Sequence, residues 1–497
     1  MRKEGVNSFK KPFSMNGTPH LQSNGNKILE SYADQKPSLW FSKRSIIAVV
    51  IFVCYINIGI VLTNINIAIV EMTSSKQIVS GNSTFLRPAE FQWDPSVVGI
   101  VASLLSYGGL FALGGGFFVN KMGGAVSCAF VMMMCGILNL LHPASLYFDF
   151  RLFFFLRLLT GFFANCFYTS VAEIYSRWFP KKERPMLITF CVDGTNVGIT
   201  IMYALYGFVA DRLGWQMVFY ATGITSLVTA MLCLIVVRNR PSQDKWISEE
   251  ELAYISDDTH DVPQKRRSHP YRKIFLSPPV WALCFIDITL LWTGNITGGC
   301  LPLYAKDLTG ESTDEIGYVS SITLLLTIFL YPVAGMLINH WKNHTNVDST
   351  RMDKIIVSIT FLSISIMFAA CAIFSNFTAT VILFLTIEGL KSFVTPVLEP
   401  NIVNLAPNDS SIVAGMTKIC SSLGVIFSRT ITGFMTINHS IQEWNNSYFL
   451  TSGISLIGAA IFVKYGSSEA QSWSLTSSID EYERDERDYL IKDKNKK

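Results

Sequence analysis

Long apolar runs alternate with short polar segments along the 497-residue chain. Each run is about 17 to 25 residues long, the length at which a helix crosses the hydrocarbon core of a bilayer. Windows of about 19 residues predict twelve spans, numbered here in chain order: 45–70, 96–118, 125–145, 152–176, 186–209, 215–237, 279–301, 315–338, 353–374, 379–402, 411–434 and 447–465. The pattern predicts an all-α polytopic membrane protein with twelve transmembrane helices.

A charged, proline-containing segment divides the twelve spans into two sets of six. The predicted organisation is a tail at 1–44, a six-helix bundle at 45–237, a central loop at 238–278, a second bundle at 279–465 and a tail at 466–497. The first tail lacks the apolar core and small-residue cleavage site of a signal peptide. We therefore expect span 1 to be retained as a signal anchor.

Lysine and arginine residues collect on one side of the predicted bundle. They lie in both tails, at Lys121, in the loop 177–184 and in the central loop. Basic loops stay in the cytosol, so both termini are predicted to be cytosolic. The longest loop on the other side, 71–95, contains Asn82-Ser83-Thr84, a predicted N-glycosylation site.

Composition excludes several classes of protein. Charged residues make up 15% of the chain, whereas soluble proteins carry about 25%, so a soluble enzyme, a nucleic-acid binder and a disordered scaffold are excluded. The ten cysteines all lie in apolar runs, without the spacing of a metal site. Motifs of a membrane-embedded hydrolase are missing. We expect no enzyme activity, no cofactor or metal, and no nucleic-acid partner.

A short pattern recurs in the two halves. Gly116 is followed by Asn120 and Lys121 at the end of span 2, and Gly335 by Asn339 at the end of span 8. The glycine lets two helices approach closely, and the polar side chain one turn later can hydrogen-bond a neighbouring helix end. Six plus six spans with this repeat resemble the major facilitator superfamily, whose two halves rock around a site near the bilayer midplane.

Further motifs follow in order along residues 45–465. They are Asn64 to Met72 ending span 1, Phe91 with Trp93, Arg157 with Gly161, the loop Trp178-Phe-Pro180-Lys-Lys-Glu183-Arg184, Trp215 with Phe219, Ile247 to Ile255 around Glu251, and Asn401-x-x-Asn404-Leu-Ala406-Pro407. Together they resemble the anion/cation symporter branch that includes sialin, the vesicular glutamate transporters and the sodium–phosphate cotransporters. The resemblance implies transport of a small anion, coupled to H⁺ or Na⁺.

The chain departs from that branch at charged positions. The resemblance implies an arginine on span 1 where this chain has Leu62, and carboxylates on span 4 where it has Thr160 and Ala164. The branch's aspartate before the Ala-Pro pair is Asn404. The protein is identified as a divergent member, whose substrate and coupling ion need not be the usual ones.

Arg157 is the first candidate for binding an anion. A charge at membrane depth costs about 2.5–3.5 kcal/mol on insertion scales, so it needs a partner or a wet cavity. A guanidinium can hold a carboxylate or phosphate with two parallel hydrogen bonds. The alternatives are a structural ion pair within the first half, or a side chain that reaches the outer surface.

Other polar residues within spans are candidates for the substrate site. Asn295 and Trp292 on span 7 are predicted to line a cavity, although Asn295 can equally join two helices. Lys391 on span 10 either neutralises Glu388, three residues before it, or meets an anion when that pair opens. Lys418 and Arg429 on span 11 could line an anion-attracting cavity; Arg429 could instead face the outer interface.

Four carboxylates are candidates for ion coupling. Asp287 on span 7 lies about 12 Å from the cytosolic end of its helix, and either carries a proton or pairs with a basic residue of another helix. Asp193 on span 5 has no local partner, whereas Glu388 has Lys391. Glu173 has Arg177 four residues later, a spacing that favours a local salt bridge.

Two segments are expected to control motion and traffic. In the loop after span 4, Trp178, Pro180, Glu183 and Arg184 are expected to latch helix ends, with Trp178 and Phe179 as interfacial aromatics; an alternative is that they only anchor the loop. In the C-terminal tail, Glu486, Leu490 and Ile491 fit an acidic dileucine sorting pattern for clathrin adaptors, or form a solvated charged tail.

The sequence therefore predicts a secondary active transporter in the lipid bilayer, moving a small-molecule anion by alternating access. The membrane is endolysosomal, vesicular or plasma membrane. Two alternatives stay open: a sensor or trafficking protein that does not transport, and a carrier of a neutral solute.

Overall fold

The fold was analysed in a computed structural model of the chain. The structure describes residues 38, 42–73, 76–80, 83–87, 90–258, 270–301, 304, 313–438 and 440–474, and it describes the backbone alone at 76–80, 83–87, 95–96, 211, 257–258 and 313–324. The predicted glycosylation site at Asn82 and the sorting residues Glu486, Leu490 and Ile491 lie outside these residues.

The described helices match all twelve predicted spans and confirm the all-α fold of two six-helix halves. The first half has Lys43–Thr73, Pro95–Gly109 with Gly115–Met122, Gly124–Phe148, Phe150–Trp178, Arg184–Ile201 with Gly207–Leu213, and Trp215–Val236. The second has Pro278–Gly294, Thr313–His344, Ser349–Phe374, Phe377–Lys391 with Thr395–Leu405, Ser410–Met435, and Ile441–Tyr465. Among the described residues, ten helices are long and apolar enough to cross a membrane, or eleven if a bent pair in span 2 counts as one.

Four spans are interrupted, where the apolar pattern had predicted continuous helices. Span 2 bends by 42° in a glycine-rich stretch. Spans 5 and 7 contain π-helical turns at Met202–Tyr206 and Asn295–Gly299, and span 10 breaks after Lys391 because Pro396 opens a new helix. The hydropathy pattern missed these interruptions because a broken helix and a straight one are equally apolar.

Local sequence signals set several helix ends. The side chain of Asp149 accepts a hydrogen bond from the Arg151 amide at 2.8 Å where span 4 begins, which satisfies one of the free N–H groups of the first turn. Ser440 and Glu443 form a capping box at the start of span 12. Gly123 and Gly214 have φ values of 81° and 90°, a backbone conformation open to glycine, and they end spans 2 and 5.

Elements between the spans add a hairpin and short helices. Strands β1 (Lys76–Ser80) and β2 (Ser83–Arg87) pair antiparallel between spans 1 and 2, with Ser80 opposite Ser83. The sequence pattern predicts a loop in this segment, so the hairpin is an addition to the predicted elements. In the central loop, a helix at Glu249–Asp258, which we call the loop helix, is followed by a turn of helix at Tyr271–Phe275.

Each half has its own hydrophobic core. In the described chain one core is built from residues 274–473 and takes in Ala172 from the first half. A second is built from residues 47–255 and takes in Val403 from the other half, and a third, smaller cluster lies in the first half. Each of these cores is therefore built almost wholly from one half.

Helices within a half pack through glycines. A Cβ atom added to Gly198 on span 5 would lie 2.1 Å from the carbonyl oxygen of Ile56 on span 1, and one added to Gly194 would lie 2.4 Å from that of Phe52. Backbone atoms cannot yield as a flexible side chain can. Spans 1 and 5 are therefore held at a distance that only glycine permits.

Gly198→Ala is predicted to destabilise the first half by about 2 kcal/mol, because overpacking in a close contact typically costs about 1–3 kcal/mol. The measurement is the thermal midpoint of the purified protein in detergent. Gly207→Ala in the same span is the matched control, since its added Cβ would meet no atom within 4 Å. Equal midpoints for the two variants would contradict the packing argument.

Candidate functional site

Arg157 lies inside the first half, rather than between the halves. Its guanidinium is fully buried, donates one hydrogen bond of 2.9 Å to the Asn64 side chain of span 1, and has its carbon 6.0 Å from the ring centre of Phe219. Asn64 in turn donates to Asn139 of span 3 at 2.7 Å. Among the described residues Arg157 forms no ion pair, and its Nε and Nη2 atoms have no hydrogen-bond partner. The predicted structural ion pair is therefore not found there.

Arg429 does lie between the halves. From span 11 it donates to Asn295 of span 7 at 3.1 Å and to Ser103 of span 2 at 3.3 Å. The side chain is exposed, and in the described part of the chain no carboxylate forms a salt bridge with it. Asn295, predicted to line a cavity, thus lies beside Arg429. Arg429 reaches across the crevice from one half to the other.

Lys418 pairs with two carboxylates on the side of the second half that faces the first half. Its Nζ lies 3.3 Å from Glu399 Oε1 of span 10 and 3.8 Å from Asp287 Oδ2 of span 7. The first half contributes Tyr168, whose ring centre lies 4.5 Å from Nζ, a favourable arrangement of a cation over an aromatic face. We call Lys418, Asp287 and Glu399 the lysine cluster.

Glu388 and Lys391 form the local pair that their spacing predicted. The Lys391 ammonium donates to both carboxylate oxygens, at 2.8 and 3.0 Å, and the Thr297 hydroxyl also donates to Glu388. A Cβ on Gly294 would lie 2.8 Å from Lys391 Nζ. The pair is therefore seated against the interrupted part of span 7.

The other coupling candidates have local partners. Glu173 accepts two hydrogen bonds of 3.1 Å from Arg177, the predicted local salt bridge. For Asp193 the prediction of no local partner is wrong, because the buried carboxylate accepts from Asn196 on its own helix at 3.0 Å. Trp292 faces the last span, where its indole donates to Thr451 at 3.2 Å, so the structure places it within the second half and not on the crevice.

A network of ion pairs lies at the side of the bundle where span 1 begins. We call this side the basic side. Arg44 is fully buried and lies 2.9 Å from Glu183 and 3.4 Å from Glu251. Glu251 also accepts from the backbone amides of Lys43 and Arg44, both at 2.9 Å. Glu251 of the loop helix thus caps the first turn of span 1. The motif that contains Glu183 and the motif around Glu251 meet at Arg44.

Arg184 connects the two halves on this side. Its Nη1 donates to Asn404 of span 10 at 2.6 Å, and its Nε donates to the carbonyl of Phe179 at 2.8 Å. Pro180 supplies the carbonyl that accepts from the Glu183 and Arg184 amides, each at 3.0 Å. Because Asn404 is neutral, this contact between the halves, which we call the latch, is a hydrogen bond in which only the donor is charged.

The aromatic residues of this loop correct one expectation. Trp178 and Phe179 are both fully buried, and the Trp178 indole donates to the Arg238 carbonyl at 2.8 Å. Interfacial aromatics would face lipid headgroups. These two instead pack the loop against the end of span 6, because the salt-bridge network around Arg44 and Glu183 draws the loop inward.

The repeated glycines mark contacts between the halves. A Cβ on Gly116 of span 2 would meet Ile412 of span 11 at 3.7 Å, and one on Gly335 of span 8 would meet Thr189 of span 5 at 2.9 Å. The polar partners differ from expectation: in the described chain the exposed Asn120 and Lys121 form no hydrogen bond or ion pair with other side chains, and the Asn339 side-chain oxygen is buried without a partner.

Sequence reasoning missed three residues of these sites: Glu399, Tyr168 and Arg44. Glu399 lies in predicted span 10, and an acidic residue at such depth was a usable signal. Its partner, nineteen positions along the chain, belongs to another helix, so spacing could not reveal the pair. The same holds for Arg44, whose partners are more than 130 residues away.

Comparisons with known proteins agree with this architecture. The sequence profile of the Major Facilitator Superfamily matches residues 47–347. Vesicular glutamate transporter 3 of Danio rerio is 25% identical over 418 residues, 83% of this chain and 71% of its own; vesicular glutamate transporter 2 of Homo sapiens is also 25% identical, with 83% and 72% covered. The predicted resemblance to the anion/cation symporter branch, as a divergent member, is confirmed.

Solved structures share the fold. The proton:xylose symporter XylE bound to 6-bromo-6-deoxy-D-glucose superposes with a TM-score of 0.64 at 14% identity, covering 89% of this chain and 98% of that one. FucP in the outward conformation gives 0.58 at 12% identity, covering 84% and 99%.

Asn404→Asp is predicted to strengthen the latch on the basic side by about 1 kcal/mol. The reason is that a hydrogen bond between two charged groups is stronger than one in which a partner is neutral. The measurement is the alkylation rate of Thr189→Cys, a fully buried position where span 5 meets span 8. We expect the rate to fall about fivefold. The control adds Arg184→Gln, which removes the cation; an equal slowing in that background would contradict the latch.

Proposed function

The chain belongs to the Major Facilitator Superfamily, and from this premise we propose that it is a secondary active transporter of a small organic anion. The substrate binds in the crevice between the two halves, which alternately open to the two sides of the membrane. The proposal names an anion because of one observation: Arg429 faces the crevice with no carboxylate partner among the described residues.

The surroundings of Arg429 support this role. Its present partners, Asn295 and Ser103, are neutral hydrogen-bonding groups on opposite halves. A carboxylate or phosphate entering the crevice can take their place and gain two charge-assisted hydrogen bonds. The same guanidinium then bridges the halves through the substrate, so binding and closure are linked.

The position of Asn295 supports a site on span 7. It begins the π-helical turn Asn295–Gly299, and such single-turn interruptions occur frequently at functional sites. Interrupted spans expose backbone groups that a regular helix would use internally. The nearby Glu388–Lys391 pair can open to admit an anion at Lys391 during the cycle.

Arg157 has a different proposed role. It lies behind the crevice and holds Asn64 and, through it, Asn139. In this arrangement it fixes spans 1, 3 and 4 together. Its two unpartnered nitrogen atoms become available to a ligand only if the first half rearranges.

Contacts between the halves support alternating access. On the basic side the halves meet through Arg184 with Asn404, and through the Asn343 side chain, which donates to the Lys182 carbonyl at 2.9 Å. Toward the opposite side they meet through Arg429 and Ser103. These contacts are hydrogen bonds, which a rocking motion can break and re-form.

The cellular location is also part of the proposal. The relatives named above are vesicular transporters, and we propose a vesicular or endolysosomal membrane with the basic side toward the cytosol. The tail residues Glu486, Leu490 and Ile491 then serve clathrin adaptors. Replacing Leu490 and Ile491 with alanine is the direct check, and an unchanged intracellular distribution would remove the sorting motif from the proposal.

Arg429→Ala is predicted to lower kcat/KM for uptake at least 30-fold, since a charge-assisted bond to substrate contributes about 2 kcal/mol. The assay is uptake into proteoliposomes under an imposed pH gradient, with glutamate, sialic acid, urate and phosphate as probes. Arg429→Lys should recover part of the loss by keeping the charge without the two-pronged geometry.

Two further arginine variants serve as controls. Arg212 is exposed near the same side and stacks on Phe208 at 5.3 Å, so Arg212→Ala should leave uptake unchanged. Arg157→Ala should lower the thermal midpoint, in keeping with a buried role.

Uptake by folded Arg429→Ala at the wild-type rate would move the anion site elsewhere. No uptake of any anion by wild-type protein would favour a neutral solute or a sensor.

A further inference from the structure

The lysine cluster contains two carboxylates and one ammonium. Asp287, Glu399 and Lys418 come from spans 7, 10 and 11, and their side chains are 3%, 14% and 12% exposed. The Ser421 hydroxyl donates to Asp287 at 2.6 Å. With all three groups ionised, the cluster would carry one net negative charge within the bundle.

Other groups around the cluster do not balance that charge. In the described chain, Lys418 is the cation that forms salt bridges with these carboxylates. The remaining titratable neighbours are phenols and thiols, which cannot carry a positive charge: Tyr55, Tyr168, Tyr175 and Tyr331, with Cys284 and Cys420. An uncompensated charge in such surroundings is costly.

The neighbouring pair gives the contrast. Glu388 and Lys391 match one carboxylate to one ammonium, at 2.8 Å, and are neutral without any added ion. The lysine cluster reaches the same balance only by taking up one positive charge. One of its two carboxylates therefore lacks a matching positive charge and can bind a cation.

We propose that the lysine cluster is the proton-coupling site of the transporter, holding one proton on either Asp287 or Glu399 when the halves are closed around it. The proton comes from water on one side, forms an O–H bond with a carboxylate oxygen, and leaves to water on the other. This inference rests on the proposed transport function and adds its coupling ion.

The position of Lys418 favours H⁺ over Na⁺. The ammonium lies within 3.3 Å of one carboxylate and 3.8 Å of the other, so a metal cation bridging them would stand beside another positive charge. That repulsion is strong in a medium of low dielectric constant. A proton becomes part of the carboxyl group and leaves no such unscreened charge.

Tyr168 links proton release to motion. It belongs to the first half and covers Lys418, with its ring centre 4.5 Å from Nζ. When the halves separate, this ring moves away and water reaches the cluster. Hydration lowers the cost of the extra negative charge, so the proton leaves in the open arrangement and returns on closure.

Infrared difference spectroscopy on the full-length purified protein tests the proposal without a substrate. A protonated carboxyl group gives a C=O stretching band that shifts in D₂O. We expect wild-type protein at neutral pH to show such a band, at an intensity of one carboxyl per chain, that disappears at alkaline pH. A spectrum without the band at neutral pH would overturn the proposal.

Variants assign the band. Asp287→Asn and Glu399→Gln each leave one carboxylate with one ammonium, so either change should abolish it. Lys418→Gln leaves two carboxylates without a cation and should increase it about twofold. Glu388→Gln, the matched control, should leave it intact; a band that survives in folded Asp287→Asn and Glu399→Gln, or vanishes in Glu388→Gln, contradicts the assignment.

Exchanging Na⁺ for choline separates the two ions. The band should not change, and its growth on removal of Na⁺ would mean that Na⁺ competes for the cluster and overturn the choice of H⁺. Because these readouts need no substrate, they can fail while uptake succeeds, or succeed while every tested anion is refused. The coupling proposal and the substrate proposal are therefore judged separately.

Discussion

A charge inside a bilayer must be paired, hydrated or neutralised, and this constraint organises the structure. Leaving it unpaired costs several kcal/mol, comparable to a large part of the stability of a typical domain. Arg177 meets this requirement within its own helix, and Arg44 meets it through two distant carboxylates. Arg157 meets it only in part, through one hydrogen bond inside the first half. Arg429 and the lysine cluster are also incompletely paired, and they lie where the halves face each other. Incomplete pairing at this face makes them the candidates for binding a substrate and an ion.

The same constraint explains how the halves are joined. A strong salt bridge across the crevice would hold one arrangement and slow the cycle. Among the described contacts between the halves, Arg184 donates to a neutral asparagine, and Arg429 donates to a serine and an asparagine. Other ion pairs lie within a half, as at Glu388 and Lys391, or between span 1 and the loops of its own half.

Helix interruptions and glycines place these groups. The break in span 10 lies between Lys391 and Pro396, and the π-helical turn of span 7 begins at Asn295. Gly294 leaves room for the Lys391 ammonium, and Gly116 and Gly335 bring helices of opposite halves together. Small residues and irregular turns thus position the charged residues. Each charged residue needs a fixed place because exposing its charge to the hydrocarbon core costs free energy.

The sequence by itself determined the twelve spans, their division into two halves and the local pairs Glu173–Arg177 and Glu388–Lys391. Hydropathy and spacing along one helix depend on residues that are close together in the sequence, so they can be predicted directly from it. Only the tertiary structure decided that Arg157 lies behind the crevice and Arg429 within it, that Trp178 is buried, and that Glu399 joins Asp287 at Lys418. These outcomes depend on the rotation of each helix about its axis and on which helices meet, and residues far apart in the chain set both through packing.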